Sequence, residues 1–172
     1  FGEKGGVTFS GGEPLLQADF LREVLSLLQT KRIHTAIETS GMAPWENFQK
    51  ILGLVNLFLY DFKLFDSRKH QEYTGWSNEQ IRSNLKCLRQ AEVDIRIRIP
   101  VIKSVNDGQL ESIAQELKKL EIGQVELFPY HKIGMSKYQQ IGYPSPEIFE
   151  APSREEMEGF RQIFREKGLE VL

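Results

Sequence analysis

Five polar clusters recur along the chain, each directly after a run of β-branched and aromatic residues. The first is Gly11, Gly12 and Glu13 in "GGVTFSGGEPLLQ". Bare backbone beside one carboxylate lets a ligand reach main-chain groups that side chains would otherwise shield. The second cluster is "ETSG", with Glu38, Thr39 and Ser40. In the third, "YDFK", Asp61 and Lys63 stand two apart and point the same way on a strand. The fourth, "RIR", sets Arg96 and Arg98 on one face, and the fifth, "PYHK", ends in His131. Singly, each has a plainer reading: a turn, an ion pair, an arginine stacked outside a sheet, a surface histidine. Gathered at one end of successive strands, charges of both signs are costly unless paired or ligand-bound, which points to a ligand that itself carries both.

The elements that must position these clusters alternate from start to finish. Strands are expected at 7–9, 34–39, 57–63, 94–102 and 124–130, with "LEVL" as one more short strand. Between them, residues 18–29 carry a stripe of Phe20, Leu21, Val24, Leu25 and Leu28, and Pro44 stands at the first turn of "WENFQKIL". Ser77 with Gln80, and Ser153 with Glu156, have capping-box spacing, and Asp107 is placed to cap the helix that carries Leu110, Ile113, Leu117 and Leu120. Cys87, between Leu85 and Leu88, reads as a core residue. Alternating strands and helices imply an α/β fold with a parallel sheet, either open and doubly wound or a barrel. In both, the functional face lies at the carboxyl ends of the strands. Residues 131–152 read as a long loop over that face.

The 172 residues are expected to form a single domain, 1–172, large enough for a proper core. A formal net charge of −2 gives no basic excess, so nucleic acid is not an expected partner. No long apolar run or export signal is legible, so no membrane partner is expected and the cytoplasm is the expected compartment. A single cysteine excludes an internal disulfide framework.

The order "GGVTFSGGEPLLQ", "ETSG", "DFK", "IRIPVIKSVND" and "HKIGMSKY" resembles the radical S-adenosylmethionine activases of glycyl-radical enzymes, the pyruvate formate-lyase activating enzyme family. The resemblance runs from about Gly5 to the C-terminus. It implies a partial (β/α) barrel and S-adenosylmethionine as cofactor, its amino group received by Gly11, Gly12 and Glu13. Glu38, Thr39, the Leu59 carbonyl and Asp61 match positions for a monovalent cation, with glutamate at 38 where the best-known member has aspartate. Lys63, Arg98 and His131 match polar positions around the methionine and ribose. The implied activity is reductive cleavage of S-adenosylmethionine to a 5′-deoxyadenosyl radical, which takes hydrogen from a backbone glycine of a partner such as pyruvate formate-lyase. A small redox protein would donate the electron, and the 131–152 loop would cover the site and dock the partner.

The family's [4Fe-4S] cluster is held by three cysteines spaced C-x-x-x-C-x-x-C, upstream of the glycine-rich string, whereas this sequence contains only Cys87. The resemblance therefore implies an N-terminally truncated chain that lacks the first strand and the cluster loop, the cluster belonging to the full-length protein alone. Two other readings stay within the superfamily's reach: a radical enzyme acting on a small molecule, and a cluster-less S-adenosylmethionine-binding docking module. A Schiff-base aldolase built on Lys63, with Asp61 or Glu38 as acid–base partner, leaves the glycine-rich turn without a role. The 172 residues alone are expected to be catalytically inert and prone to pair along "GVTF". Full activase activity from the purified monomer would refute this.

Overall fold

The computed structural model of the chain describes residues 5–131 and 149–172. Most of "HKIGMSKY" and of the expected cover loop falls at 132–148, outside the described residues. Six strands, β1 (Gly6–Phe9), β2 (His34–Thr39), β3 (Leu57–Asp61), β4 (Ile95–Val101), β5 (Gln124–Pro129) and β6 (Glu170–Val171), lie side by side in chain order, every pair parallel. The expected strands are all present, with ends shifted by one or two residues.

Burial along these strands alternates. On β4, Ile95, Ile97, Ile99 and Val101 are buried, while Arg96, Arg98 and Pro100 are half-exposed. Parallel register carries the alternation across the sheet, setting Tyr60 beside Ile97 and Asp61 beside Arg98. The buried face shares one apolar cluster with Leu21 and Leu25 of α1 (Ala18–Thr30), Phe48 of α2 (Trp45–Gln49), Leu85 and Leu88 of α4 (Glu79–Gln90), Ile113 and Leu117 of α5 (Leu110–Lys119), and Phe164 of α6 (Arg154–Glu166). A doubly wound sheet buries both faces and reads as continuous apolar strands. Here one face is covered by helices and the other is lined with charge, as the inner wall of a partial barrel is. The structure thus decides between the two α/β architectures that the sequence leaves open.

An additional helix, α3 (Ser67–Thr74), runs between β3 and α4 and is absent from the periodicity reading. It has no apolar stripe and buries only His70, so hydrophobic spacing cannot find it. Its signals are at its ends. Asp66 accepts a hydrogen bond from the Lys69 amide at 2.8 Å, and Gly75 closes the helix in the left-handed region at φ 84°.

Of the expected caps, the Ser153–Glu156 box forms in both directions. Ser77 does not cap α4: Asn78 occupies the N-cap position, and its amide instead donates to the Leu64 and Phe65 carbonyls at 2.9 and 3.0 Å, tying α4 back to the chain after β3. Asp107 does not cap α5 either. It begins a short 3-10 turn, and its carboxylate accepts from the Gly108 amide. Pro44 is itself the N-cap residue of α2 rather than part of its first turn.

The returns from helix to strand share one solution. Arg32, Glu92, Glu121 and Gly168 follow α1, α4, α5 and α6 with φ of 54°, 55°, 54° and 85°. After three of these helices, the next amide (Ile33, Ile122 or Leu169) bonds back five residues into the helix, the 6→1 bond of a Schellman turn. Only Gly168 meets the left-handed requirement without a Cβ penalty. Glu92→Gly is therefore expected to raise stability by roughly 0.5–1 kcal/mol and Gly168→Ala to lower it by about as much, read as opposite shifts in thermal midpoint.

Candidate functional site

The carboxyl ends of β1, β2 and β3 meet at one rim. After β1 the chain turns through Gly11 and Gly12, at φ +93° and +57°, with open space where a Cβ would stand. Glu13 then caps a 3-10 turn (Pro14–Gln17), and Leu15 N donates to its carboxylate at 3.3 Å. The same carboxylate reaches the end of β2. Thr39 Oγ1 donates to Oε1 at 2.8 Å, and both the amide of Ser40 (2.9 Å) and its hydroxyl donate to Oε2. Four donors thus occupy one carboxylate.

The inner face carries the other charges. Arg98 pairs with Glu38 across β3, lies 3.7 Å from Glu126 on β5, and sits over the Phe128 ring at 5.2 Å. Burial works against ionisation of Glu38, but hydrogen bonds from Arg98 and Ser10, with the charges of Arg98 and Lys63, hold its carboxyl below the usual range. Asp61 Oδ2 lies 3.5 Å from Lys63 Nζ. Its Oδ1 is buried and has no hydrogen-bond partner among the described residues. Burial raises the Asp61 carboxyl above its ordinary value, with Glu38 adding to the rise and Lys63 and Arg98 opposing it.

The sequence-derived residues fall into two groups. Glu13, Asp61 and Lys63 line one cavity of about 280 Å³, together with Ser40, Met42, His70, Thr74, Trp76 and Ile81. Glu38 and Arg98 stand on the inner face as an ion pair, beside Leu59 in register. Thr39 turns to the opposite face from Glu38; its hydroxyl is taken by Glu13 and by the Gly41 amide, and its side chain is buried. His131 is exposed on the coil after β5. Arg96 shares the inner face with Arg98, its Nε buried without a partner among the described residues. Cys87 is half-buried on α4 rather than in the core. Among the described residues no three His, Cys, Asp or Glu side chains gather as a metal site, and no helix is long and apolar enough to cross a membrane.

A larger cavity, about 570 Å³, opens at the other end of the strands, where the first residues of β2 to β5 line it. Ligand chemistry in α/β folds concentrates at carboxyl ends, so the smaller, rim cavity is the candidate site. Sequence reasoning missed His70, Thr74 and Trp76, because they belong to α3 and the turn after it. It also missed Glu126, although the alternation in "QVELF" marks it as facing the same way as Gln124.

The chain matches the radical SAM superfamily over residues 1–117. It is 43% identical to the trans-4-hydroxy-L-proline dehydratase activating enzyme of Clostridioides difficile, over 93% of this chain and 55% of that protein. It is 40% identical to the choline trimethylamine-lyase activating enzyme of Oleidesulfovibrio alaskensis, over 83% of this chain and 48% of that protein. A domain of pyruvate-formate lyase-activating enzyme from Bacteroides vulgatus superposes with a TM-score of 0.82 at 31% identity, covering 98% of both chains. The chain belongs to the radical SAM superfamily. It spans about half the length of the curated relatives it matches.

Asp61 should leave a thermodynamic mark. A carboxyl whose folded pKa is raised contributes most stability when protonated, and that contribution is lost as pH rises through the raised value. Asp61→Asn is therefore expected to be more stable than wild type near pH 7. The advantage should vanish as the pH falls below the carboxylate range. Thermal melts at both pH values test it, and a gain that persists in acid would count against the assignment.

Proposed function

We propose that this chain is the S-adenosylmethionine-binding barrel of an activating enzyme for a glycyl-radical enzyme. The observation that carries the reading is the rim turn: two left-handed glycines with open space beside them, locked to the neighbouring strand end by Glu13. Support at the level of activity comes from relatives named as activating enzymes of a dehydratase and a lyase. Those names differ in their target, so the proposed partner is the glycyl-radical class. Pyruvate formate-lyase, the partner expected from the sequence, has the structural neighbour in its favour.

The residues fit the cofactor in two respects. The glycine turn leaves room for close approach to its backbone, and Asp61 Oδ1 is a buried acceptor in want of a donor or cation. With its carboxylate already filled by four donors, Glu13 acts mainly by fixing the turn, and backbone oxygens at Gly11 and Gly12 receive the ammonium. Lys63 and Arg98 supply positive charge for a carboxylate or ribose, with His131 at the mouth. Glu38 and the Leu59 carbonyl stand with Asp61 as candidate holders of a monovalent cation, whereas Thr39, expected among them, turns its hydroxyl to Glu13 and the Gly41 amide and offers no side-chain oxygen there. When bound, S-adenosylmethionine and a reduced [4Fe-4S] cluster supply one-electron bond cleavage. We assign no residue of this chain to the cluster, which needs thiolates beyond Cys87, and we expect no activation from these 172 residues alone. An outside redox protein would supply the electron.

Equilibrium dialysis of the chain against labelled S-adenosylmethionine tests the proposal. Gly12→Val is expected to weaken binding at least about tenfold, because a β-branched residue resists a left-handed backbone and fills the cradle. Glu13→Ala is expected to weaken binding and to cost about 3 kcal/mol or more in stability, since four donors lose a charged acceptor. A folded wild-type chain without measurable affinity would sink the reading.

A further inference from the structure

Helix α3 is polar along its length, yet it buries one residue, and that residue is a histidine only 4% exposed. The Nδ1 atom of His70 lies 2.7 Å from the Trp76 carbonyl oxygen. A carbonyl can only accept, so Nδ1 carries the proton and, in the neutral ring, Nε2 presents a lone pair. Thr74 agrees with this assignment. Its hydroxyl donates to the His70 carbonyl at 2.6 Å, which leaves Oγ1 free to accept from Nδ1 at 3.0 Å.

Nε2 makes no hydrogen bond among the described residues, and it is not among the buried atoms cut off from solvent without a partner. His70 lines the rim cavity with Asp61, Lys63 and Glu13, and Nε2 is the ring nitrogen left to accept from a ligand there. Among the described residues, two acceptors on side chains that line this cavity, His70 Nε2 and Asp61 Oδ1, have no donor. The surroundings of α3 hold the ring in place: Asp66 and Gly75 cap the helix, and Asn78 ties the following turn to the Leu64 and Phe65 carbonyls.

We infer that His70 is a positioning residue of this site, its Nε2 accepting a hydrogen bond from an N–H or O–H donor of bound S-adenosylmethionine. The inference rests on the proposed cofactor reading and adds a contact from α3, the element that the sequence motifs do not cover. Two substitutions separate this role from a purely structural one. His70→Asn keeps a donor for the Trp76 carbonyl and removes the Nε2 acceptor. His70→Gln extends an acceptor oxygen toward the Nε2 position and gives up the Nδ1 donor.

Dialysis against S-adenosylmethionine is expected to show His70→Asn weakened about five- to tenfold, with an unchanged thermal midpoint, and His70→Gln within about twofold of wild type. In the wild-type chain labelled with 15N-histidine, the His70 ring should show the Nδ1–H tautomer before ligand is added. The ligand should then shift Nε2 and leave Nδ1 nearly still, a signature that needs no variant to fold. Unaltered binding by His70→Asn, or an Nε2 resonance that does not respond to ligand bound by the wild type, overturns the inference and leaves the cofactor reading intact. Failure of the wild type to bind S-adenosylmethionine overturns both.

Discussion

The carboxylate of Glu13 is the junction on which the rim is built. It accepts from the Leu15 amide on its own turn and from Thr39 and Ser40 at the end of β2, more than 25 residues along the chain. Hydrogen bonds to a charged acceptor are worth about 1.5–3 kcal/mol each, so this one side chain fixes where two strand ends lie relative to each other. The lock propagates. Thr39 Oγ1 accepts from the Gly41 amide, and the Gly41 carbonyl accepts from Asn84 on α4. Gly41 also lies so close to Tyr60 that a Cβ there would stand 1.9 Å from its hydroxyl, and that hydroxyl donates to the Ile81 carbonyl at 2.7 Å. Three strands and one helix are thereby held in a single polar frame, with apolar packing directly beneath it.

A second constraint follows from the period of a strand. One face must feed the helical core, so every charged residue on β2 to β5 is committed to the other. Glu38, Asp61, Arg96, Arg98 and Glu126 consequently share the wall opposite the helical core. Partial exposure keeps desolvation moderate, and mutual pairing offsets much of what is left: Arg98 sits between Glu38 and Glu126, and Lys63 beside Asp61. Among the described residues, two buried atoms on this wall lack a partner, Arg96 Nε and Asp61 Oδ1, one on a cation and one on an acid, as a ligand of both signs would need.

Legibility in the sequence followed the reach of each interaction. Strands declared themselves through β-branched runs such as "DIRIRIPVI", and the Ser153–Glu156 box through three-residue spacing, because both are local. Ser77 misled for the reason that Asn78 is recruited by carbonyls 13 and 14 residues away, which spacing cannot register. Helix α3 escaped notice because its order comes from caps and one buried polar ring rather than from an apolar stripe. The strand-end rule put Glu13, Asp61, Lys63 and Arg98 at strand ends, and in the fold they stand on the rim or inner wall. It could not reveal that Glu13 is saturated while Asp61 is not, since that difference depends on side chains brought together by folding.

That difference also separates two kinds of acid at one rim. Glu13 is surrounded by donors from its own chain, so its charge is an asset to the fold whether or not a ligand is present. Asp61 has one oxygen facing a lysine and the other buried without a hydrogen-bond partner among the described residues, and burial pushes its carboxyl toward the neutral form. An unmet buried acceptor costs free energy in the unliganded protein. In the proposed cofactor reading, a donor or cation arriving with the ligand meets this acceptor and recovers the desolvation already incurred. The rim therefore combines a carboxylate saturated by its own chain with one that, among the described residues, keeps an acceptor unmet.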